Sequence, residues 1–208
     1  VDAREAKKGQ TIKGTWLGEK LYGSDYNDKI YTGGAYYFDN NDDLSADHVY
    51  AGKGNDSIYV GNGQSYIHFK NSDGHDTIYM TKDTGTVGID LVDSSSPHNP
   101  VFTKKGNDLL INRDKSKSDK DADILTIKDY FKQKEEHFKY GSSDMRTFLN
   151  SNTDQAKSIL EISASNPNKS ATLQGTFLND TITGSNKNDK IYTNGGKDDI
   201  TAGKGNDV

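Results

Sequence analysis

A nine-residue period constrains this chain more than any other feature. Laid out in nines, the sequence carries an acidic residue at the sixth place and an aliphatic residue at the eighth. Gly14–Tyr22 (G-T-W-L-G-E-K-L-Y) leads into Gly23–Tyr31 (G-S-D-Y-N-D-K-I-Y). After an interruption at 32–41, Asp42–Tyr50 rejoins the register. Ala51–Tyr59 (A-G-K-G-N-D-S-I-Y) and Val60–His68 follow, and two extra residues precede Asn71–Tyr79. The eighth place reads Leu21, Ile30, Val49, Ile58, Ile67 and Ile78. A second array opens at Gly175, and residues 175–193 match 14–32 at an offset of 161. One whole block is therefore followed by the start of another. The sequence stops in mid-pattern after G-K-G-N-D-V, which reads as a fragment of a longer protein.

A unit this short dictates a simple local structure. Places seven to nine form a very short strand, with place eight turned inward and its neighbours outward. Places one to six turn the chain back, and their glycines permit positive φ and close backbone approach. Two such units make one coil of a flattened right-handed spiral with two facing parallel sheets. Each unit buries one sizeable side chain, contributing ~1.5–3 kcal/mol. Ordering the backbone costs ~1–2 kcal/mol per residue. Nine residues do not fold on that balance, and with 31% apolar residues and a mean hydropathy of -0.91 no larger core is on offer. Something else must stabilise the turns.

The sixth place supplies a candidate. Asp28, Asp47, Asp56, Asp76, Asp180, Asp189, Asp198 and Asp207 all fall there. Stacked turns line these carboxylates up along an edge, where like charges about 5 Å apart repel unless a cation sits between them. Gly52, Gly54, Gly61, Gly63, Gly74, Gly196, Gly203 and Gly205 shape the turns and expose carbonyl oxygens. Hard, flexible, all-oxygen ligation suits Ca²⁺ better than Mg²⁺ or Zn²⁺. Metal binding then becomes folding free energy.

A-G-K-G-N-D-S-I-Y and G-S-D-Y-N-D-K-I-Y resemble G-G-x-G-x-D-x-U-x, the calcium-binding nonapeptide of RTX proteins. A-G-K-G-N-D at 202–207 and the phrase at 65–79 share the resemblance. It implies an all-β fold: a parallel β-roll, a mostly β capping flank, and the start of a second roll. It also implies Ca²⁺ as cofactor and type I secretion, with the chain unfolded in low-calcium cytosol and folding outside. Some units depart from the pattern. Glu19 and Ser65 replace the aspartate, and Tyr26, Leu178 and Lys187 replace the second glycine of the turn. The best-formed turns are 51–56, 71–76 and 202–207.

The expected organisation is a lead-in at 1–13, a first array at 14–79 with an insertion at 32–41, a flank and linker at 80–170, and a second array from 175 to 208. Tyr36, Tyr37 and Phe38 in the insertion are expected to pack on the roll. Within the flank, Val101–Asn112 reads as two strands around a G-N-D turn, and Ile124–Phe131 as a strand with an aromatic end. Ser143–Asn150 reads as a short helix capped by Ser143 or Asp144, and Ser158–Ile162 as a final strand. Asn166–Ser170 is a linker and 115–121 a solvated loop. Such a flank resembles the segment following RTX arrays in haemolysin-like proteins, and would cover the open end of the roll. Tyr22, Tyr31, Tyr50, Tyr59, Tyr79 and Tyr192 share place nine and point outward. Cross-strand stacking explains them, and a glycan-binding face is the functional alternative. His75 is expected to face solvent, and His48, His68, His98 and His137 show no zinc spacing.

Several functions are disfavoured. A net charge of -5 argues against nucleic acid. No apolar run approaches a transmembrane length, cysteine is absent, and no nucleophile elbow, zincin or P-loop motif occurs. The expectation is a non-enzymatic calcium-binding block of a large secreted toxin of cytolysin type, located outside the cell or on the bacterial surface. Its partners would be calcium ions, the type I secretion machinery acting on the parent protein, and a host-cell surface or glycan. A calcium-stiffened adhesin stalk or ligand-binding module is one alternative. A folding module appended to a secreted enzyme is the other.

Overall fold

The computed structural model describes residues 1–34, 46–81, 84–91, 100–113, 122–133, 137–140, 143–151 and 153–208. Tyr36, Tyr37, Phe38, His98 and the run 115–121 lie outside the described residues. The chain forms two units, Val1–Val101 with Lys105–Met145, and Phe102–Lys104 with Arg146–Val208.

Within 14–79 the strands of the first unit fall where the period puts them, and one further strand lies on either side. They are β1 (Thr11–Lys13), β2 (Lys20–Tyr22), β3 (Lys29–Tyr31), β4 (Asp47–Tyr50), β5 (Ser57–Val60), β6 (Gln64–Phe69), β7 (His75–Met80) and β8 (Thr86–Leu91). Each strand pairs in parallel with the next but one, never with its immediate successor. β1, β3, β5 and β7 make one sheet, and β2, β4, β6 and β8 the other. This alternation defines a parallel β-roll. Register holds throughout the first sheet: Ile12, Ile30, Ile58 and Ile78 form one column. Leu21, Val49, Ile67 and Ile89 form another. All eight are buried, none more than 4% exposed. The roll starts before Gly14, because Thr11–Lys13 already pairs with β3. It continues past Tyr79, because Thr86–Leu91 pairs along the whole of β6 without any repeat motif of its own.

A narrow core of single aliphatics leaves no neighbour able to fill a gap. Ile58→Ala is expected to cost about 2–5 kcal/mol, read as a lowered denaturant midpoint of the calcium-saturated protein. An unchanged midpoint would mean that the columns carry little of the stability.

The flank continues both sheets and then ends them. Further strands are β9 (Val101–Lys105), β10 (Asp108–Asn112), β11 (Ile124–Ile127), β12 (Phe138–Tyr140) and β13 (Ser143–Asp144). β11 adds to β7 in parallel, placing Ile127 beside Ile78, and β12 adds to β8. Each then meets an antiparallel partner, β10 or β13. A parallel coil edge is thereby closed by a strand running the other way. Leu109, Ile111, Leu125, Tyr130 and Phe138 are fully buried, so this flank adds large side chains, two aromatics among them, to the single aliphatics of the repeats.

In the second unit, α1 (Met145–Ser151) and α2 (Thr153–Leu160) precede β14 (Glu161–Ser163), β15 (Thr172–Gln174), β16 (Thr181–Thr183), β17 (Lys190–Tyr192) and β18 (Asp199–Thr201). The expected helix is present one or two residues later than the sequence suggested. The expected strand at Ser158–Ile162 is helical as far as Leu160. Ala156, Ile159 and Leu160 are all buried, a helical spacing that overrides the β-branched pattern. The roll pairing recurs, with β14, β16 and β18 in one sheet and β15 and β17 in another, all parallel. Among the described residues no helix is long and apolar enough to cross a membrane.

Candidate metal centre

Alternate units belong to opposite sheets, so the turns stack along two edges of each roll. Turns 23–28, 51–56 and 71–76 form one stack, bringing together Asp28, Gly52, Gly54, Asp56, Gly74 and Asp76. Asp47 lies on the other edge, its strand paired with that of Ser65 in the turn holding Gly61 and Gly63. In the second roll Asp180 stacks with Gly196 and Asp198, and Asp189 with Gly203, Gly205 and Asp207.

Asparagine and aspartate at places five and six sew consecutive coils together. Each aspartate accepts a backbone N–H from the turn before it. Asp28 N–H donates to Asp56 Oδ1 at 2.7 Å and Asp56 N–H to Asp76 Oδ1 at 2.9 Å. The same bond joins Asp180 to Asp198 and Asp189 to Asp207. Each asparagine reaches the other way. Asn27 Oδ1 accepts from Asn55 N–H, Asn55 Oδ1 from His75 N–H, Asn179 Oδ1 from Lys197 N–H and Asn188 Oδ1 from Asn206 N–H. Helix α1 starts this second ladder, with Asn150 Oδ1 accepting from Asn179 N–H. The recurring N-D pair was the signal for it in the sequence.

Two turn geometries carry the aspartates. In one, a Ser or Thr at place two donates both N–H and hydroxyl to the acid at place six. Ser24 does so to Asp28, Thr176 to Asp180 and Ser185 to Asp189. Thr15 does the same to Glu19. In the other, places two and four take positive φ: Gly52 (91°) and Gly54 (122°), Ser72 (67°) and Gly74 (97°), Asn194 (68°) and Gly196 (97°), Gly203 (99°) and Gly205 (129°). Here no hydroxyl caps the acid. Asp56 Oδ2 is buried with no hydrogen-bond partner; Asp47 Oδ2, on the other edge and outside these four turns, is too.

Unpaired buried carboxylates resist ionisation. Burial pushes Asp56 up to about 7, with the charges of Asp28 and Asp73 adding to it and the Asp28 N–H opposing. Burial likewise lifts Asp76 to about 9, helped by the charges of Asp56, Asp73 and Asp123. Asp47 rises to about 6 through burial, eased by the N–H groups of Glu19, Gly34 and Gly33. Asp189 runs the opposite way: the Ser185 N–H holds it below the ordinary carboxylate range. Asp180 is raised by burial against the pull of its Thr176 bonds.

Asp73 and Asp123 gather near Asp76 although neither holds place six. Asp73 is raised to about 6 by burial. Asp123, from the flank, accepts the N–H groups of Ser72 and Gly74 and so caps the last turn of the stack. Its sequence context carries no sign of this, because it depends on β11 pairing with β7. His75 is exposed, as expected, and its Nε2 lies 3.0 Å from Ala122 O. His48 and His68 meet at 2.9 Å, with Asp90 2.9 Å beyond His68. The outward tyrosines stack: Tyr22 on Tyr50, and Tyr31 on Tyr59 on Tyr79. Arg4 covers the outer ring face of Tyr22.

Among the described residues no three His, Cys, Asp or Glu side chains converge as a metal cluster. An ion at these turns would therefore draw most of its oxygens from backbone carbonyls, with one or two carboxylates. That donor set fits calcium, and the orphaned, buried Asp56 Oδ2 fits a cation beside it. The RTX calcium-binding nonapeptide repeat family matches the chain in four copies, over residues 14–35, 41–67 and 174–208. These stretches match the RTX repeat, whose family binds calcium. The unit 71–79 lies beyond those matches and nonetheless stacks in the same register. No curated protein matches the chain.

Proposed function

We propose that this chain is a calcium-triggered folding block of a large secreted bacterial toxin of the cytolysin kind, exported unfolded by a type I system. Its role is mechanical and non-catalytic. The observation that supports it most directly is the pair Asp56 and Asp76, stacked above the turn of Asp28. There, buried carboxylates sit one above another, and one oxygen lacks any donor. Without a dication, folding must either protonate Asp56 and Asp76 or bury their charge. Where calcium is scarce the chain stays open and can be threaded. Where calcium is plentiful the ion supplies the missing partner and the coils close. Asp56 would bind through its free oxygen, and the turn glycines would bring carbonyls to the same ion.

A calcium titration followed by far-UV circular dichroism tests this, with magnesium as control. A cooperative gain of β signal is expected with calcium alone, with a midpoint at about 10⁻⁴–10⁻³ M. A β signal indifferent to chelator would overturn the switch.

A further inference from the structure

We infer that, among the turns described in full, those with left-handed places two and four take calcium, and that the Ser/Thr-capped turns 14–19, 23–28, 175–180 and 184–189 take none. The inference rests on the calcium reading above and narrows it. In the capped turns the acid is already satisfied by the chain. Asp28 Oδ1 receives Gln10 N–H and Ser24 Oγ–H, while Oδ2 receives Ser24 N–H. Asp189 receives Ala171 N–H, Ser185 N–H and Ser185 Oγ–H. Asp180 takes the N–H and hydroxyl of Thr176, and Glu19 those of Thr15. These donors present positive hydrogen ends where a cation would have to approach. Binding one would displace them and leave buried N–H groups unpaired, a cost of about 1–3 kcal/mol for each.

The glycine turns are the reverse case. Asp56 is 1% exposed and its Oδ2 meets no donor. Gly52 and Gly54 have no side chain to cap it. They also cannot carry one: a Cβ on Gly52 would lie 2.2 Å from Ser24 O, and on Gly54 2.8 Å from Tyr26 C. The two kinds of turn are stacked in a fixed order. Gly52 sits on Ser24, Gly203 on Ser185 and Gly196 on Leu178. The opening turns of both arrays are capped turns. G-[S/T]-x-x-x-[D/E] therefore marks a metal-free starter coil, onto which the calcium-binding turns stack.

The test counts ions bound per chain by equilibrium dialysis with ⁴⁵Ca²⁺ at saturation, on the full chain. Asp56→Asn is expected to lose an ion. Asp28→Asn is expected to keep the wild-type count and to melt at a lower temperature, because it loses charge-assisted hydrogen bonds. Asp189→Asn repeats the test in the second array should the Asp28 variant fail to fold. An ion lost from either capped-turn variant, or none lost from Asp56→Asn, overturns the inference. The broader calcium reading fails differently, through a chain whose β signal ignores calcium altogether.

Discussion

With calcium removed by dialysis, the chain is expected to be better folded near pH 5 than near pH 8. Asp56 and Asp76 carry the effect. An unfolded aspartate titrates near ~3.9, while the fold lifts these two to about 7 and about 9 through burial and mutual repulsion. Between the unfolded and folded values the native state holds more protons than the unfolded one. Stability must then fall as pH rises. The loss begins near pH 4, is complete for Asp56 by about 7, and for Asp76 by about 9. Each group is responsible for a few kcal/mol, to order of magnitude, which rivals the total stability of a small domain. Below pH 4 the trend reverses, because Asp189 is held low by the Ser185 N–H and its contribution disappears on protonation. Calcium should remove most of the slope, since a dication favours the ionised forms, and its binding at neutral pH should release protons. Far-UV circular dichroism across pH, with and without calcium, measures both. A calcium-free chain whose β content rises from pH 5 to pH 8 would contradict the burial of these charges.

Gly52→Val is expected to abolish the calcium-dependent β transition or shift it to at least tenfold more calcium. Two costs add. A valine at φ 91° adopts a left-handed backbone, a strain of roughly 1–3 kcal/mol. Its Cβ would also lie 2.2 Å from Ser24 O in the coil below. Backbone faces backbone there, so no rotamer relieves the contact and the coils must part. That would break Asp28 N–H to Asp56 Oδ1 and Asn55 N–H to Asn27 Oδ1 together. Gly106→Val separates the two costs. Gly106 also has positive φ, but a Cβ there meets nothing within 4 Å, so only the strain should appear, as a small loss of melting temperature. Equal effects from the two variants would mean that close coil packing is unimportant.

The stacked tyrosines bear on the alternative of a ligand face. Ring centroids of Tyr31 and Tyr59 lie 4.6 Å apart, and those of Tyr59 and Tyr79 lie 4.9 Å apart. Flat contacts of this kind occupy the faces a sugar ring would need and leave the edges outward. The ladders act first as outer struts of the sheets, worth about 0.5–1.5 kcal/mol per pair beyond burial.

Sequence alone determined the repeat, the strand positions and the inward column. Places seven to nine recur with one aliphatic each, and a strand's alternation leaves that side chain only one direction to point. Ile30, Ile58 and Ile78 could be placed in the core without coordinates because their environment is set by neighbours one period away. What the tertiary structure decided depends on neighbours the period does not specify. Thr86–Leu91 joins the roll by edge pairing, without a motif. Asp123 reaches the last turn only because β11 runs beside β7. Residues 153–160 become helix because Ala156, Ile159 and Leu160 are buried together. The aspartates divide for the same reason. Asp28 and Asp56 follow asparagine in the same local phrase, yet one is filled by Ser24 and the other left open by Gly52. Both are buried beneath stacked turns, and burial makes an unpartnered carboxylate costly. Place six fixes where the charge sits, and the geometry of place two decides whether the chain or an ion must answer it.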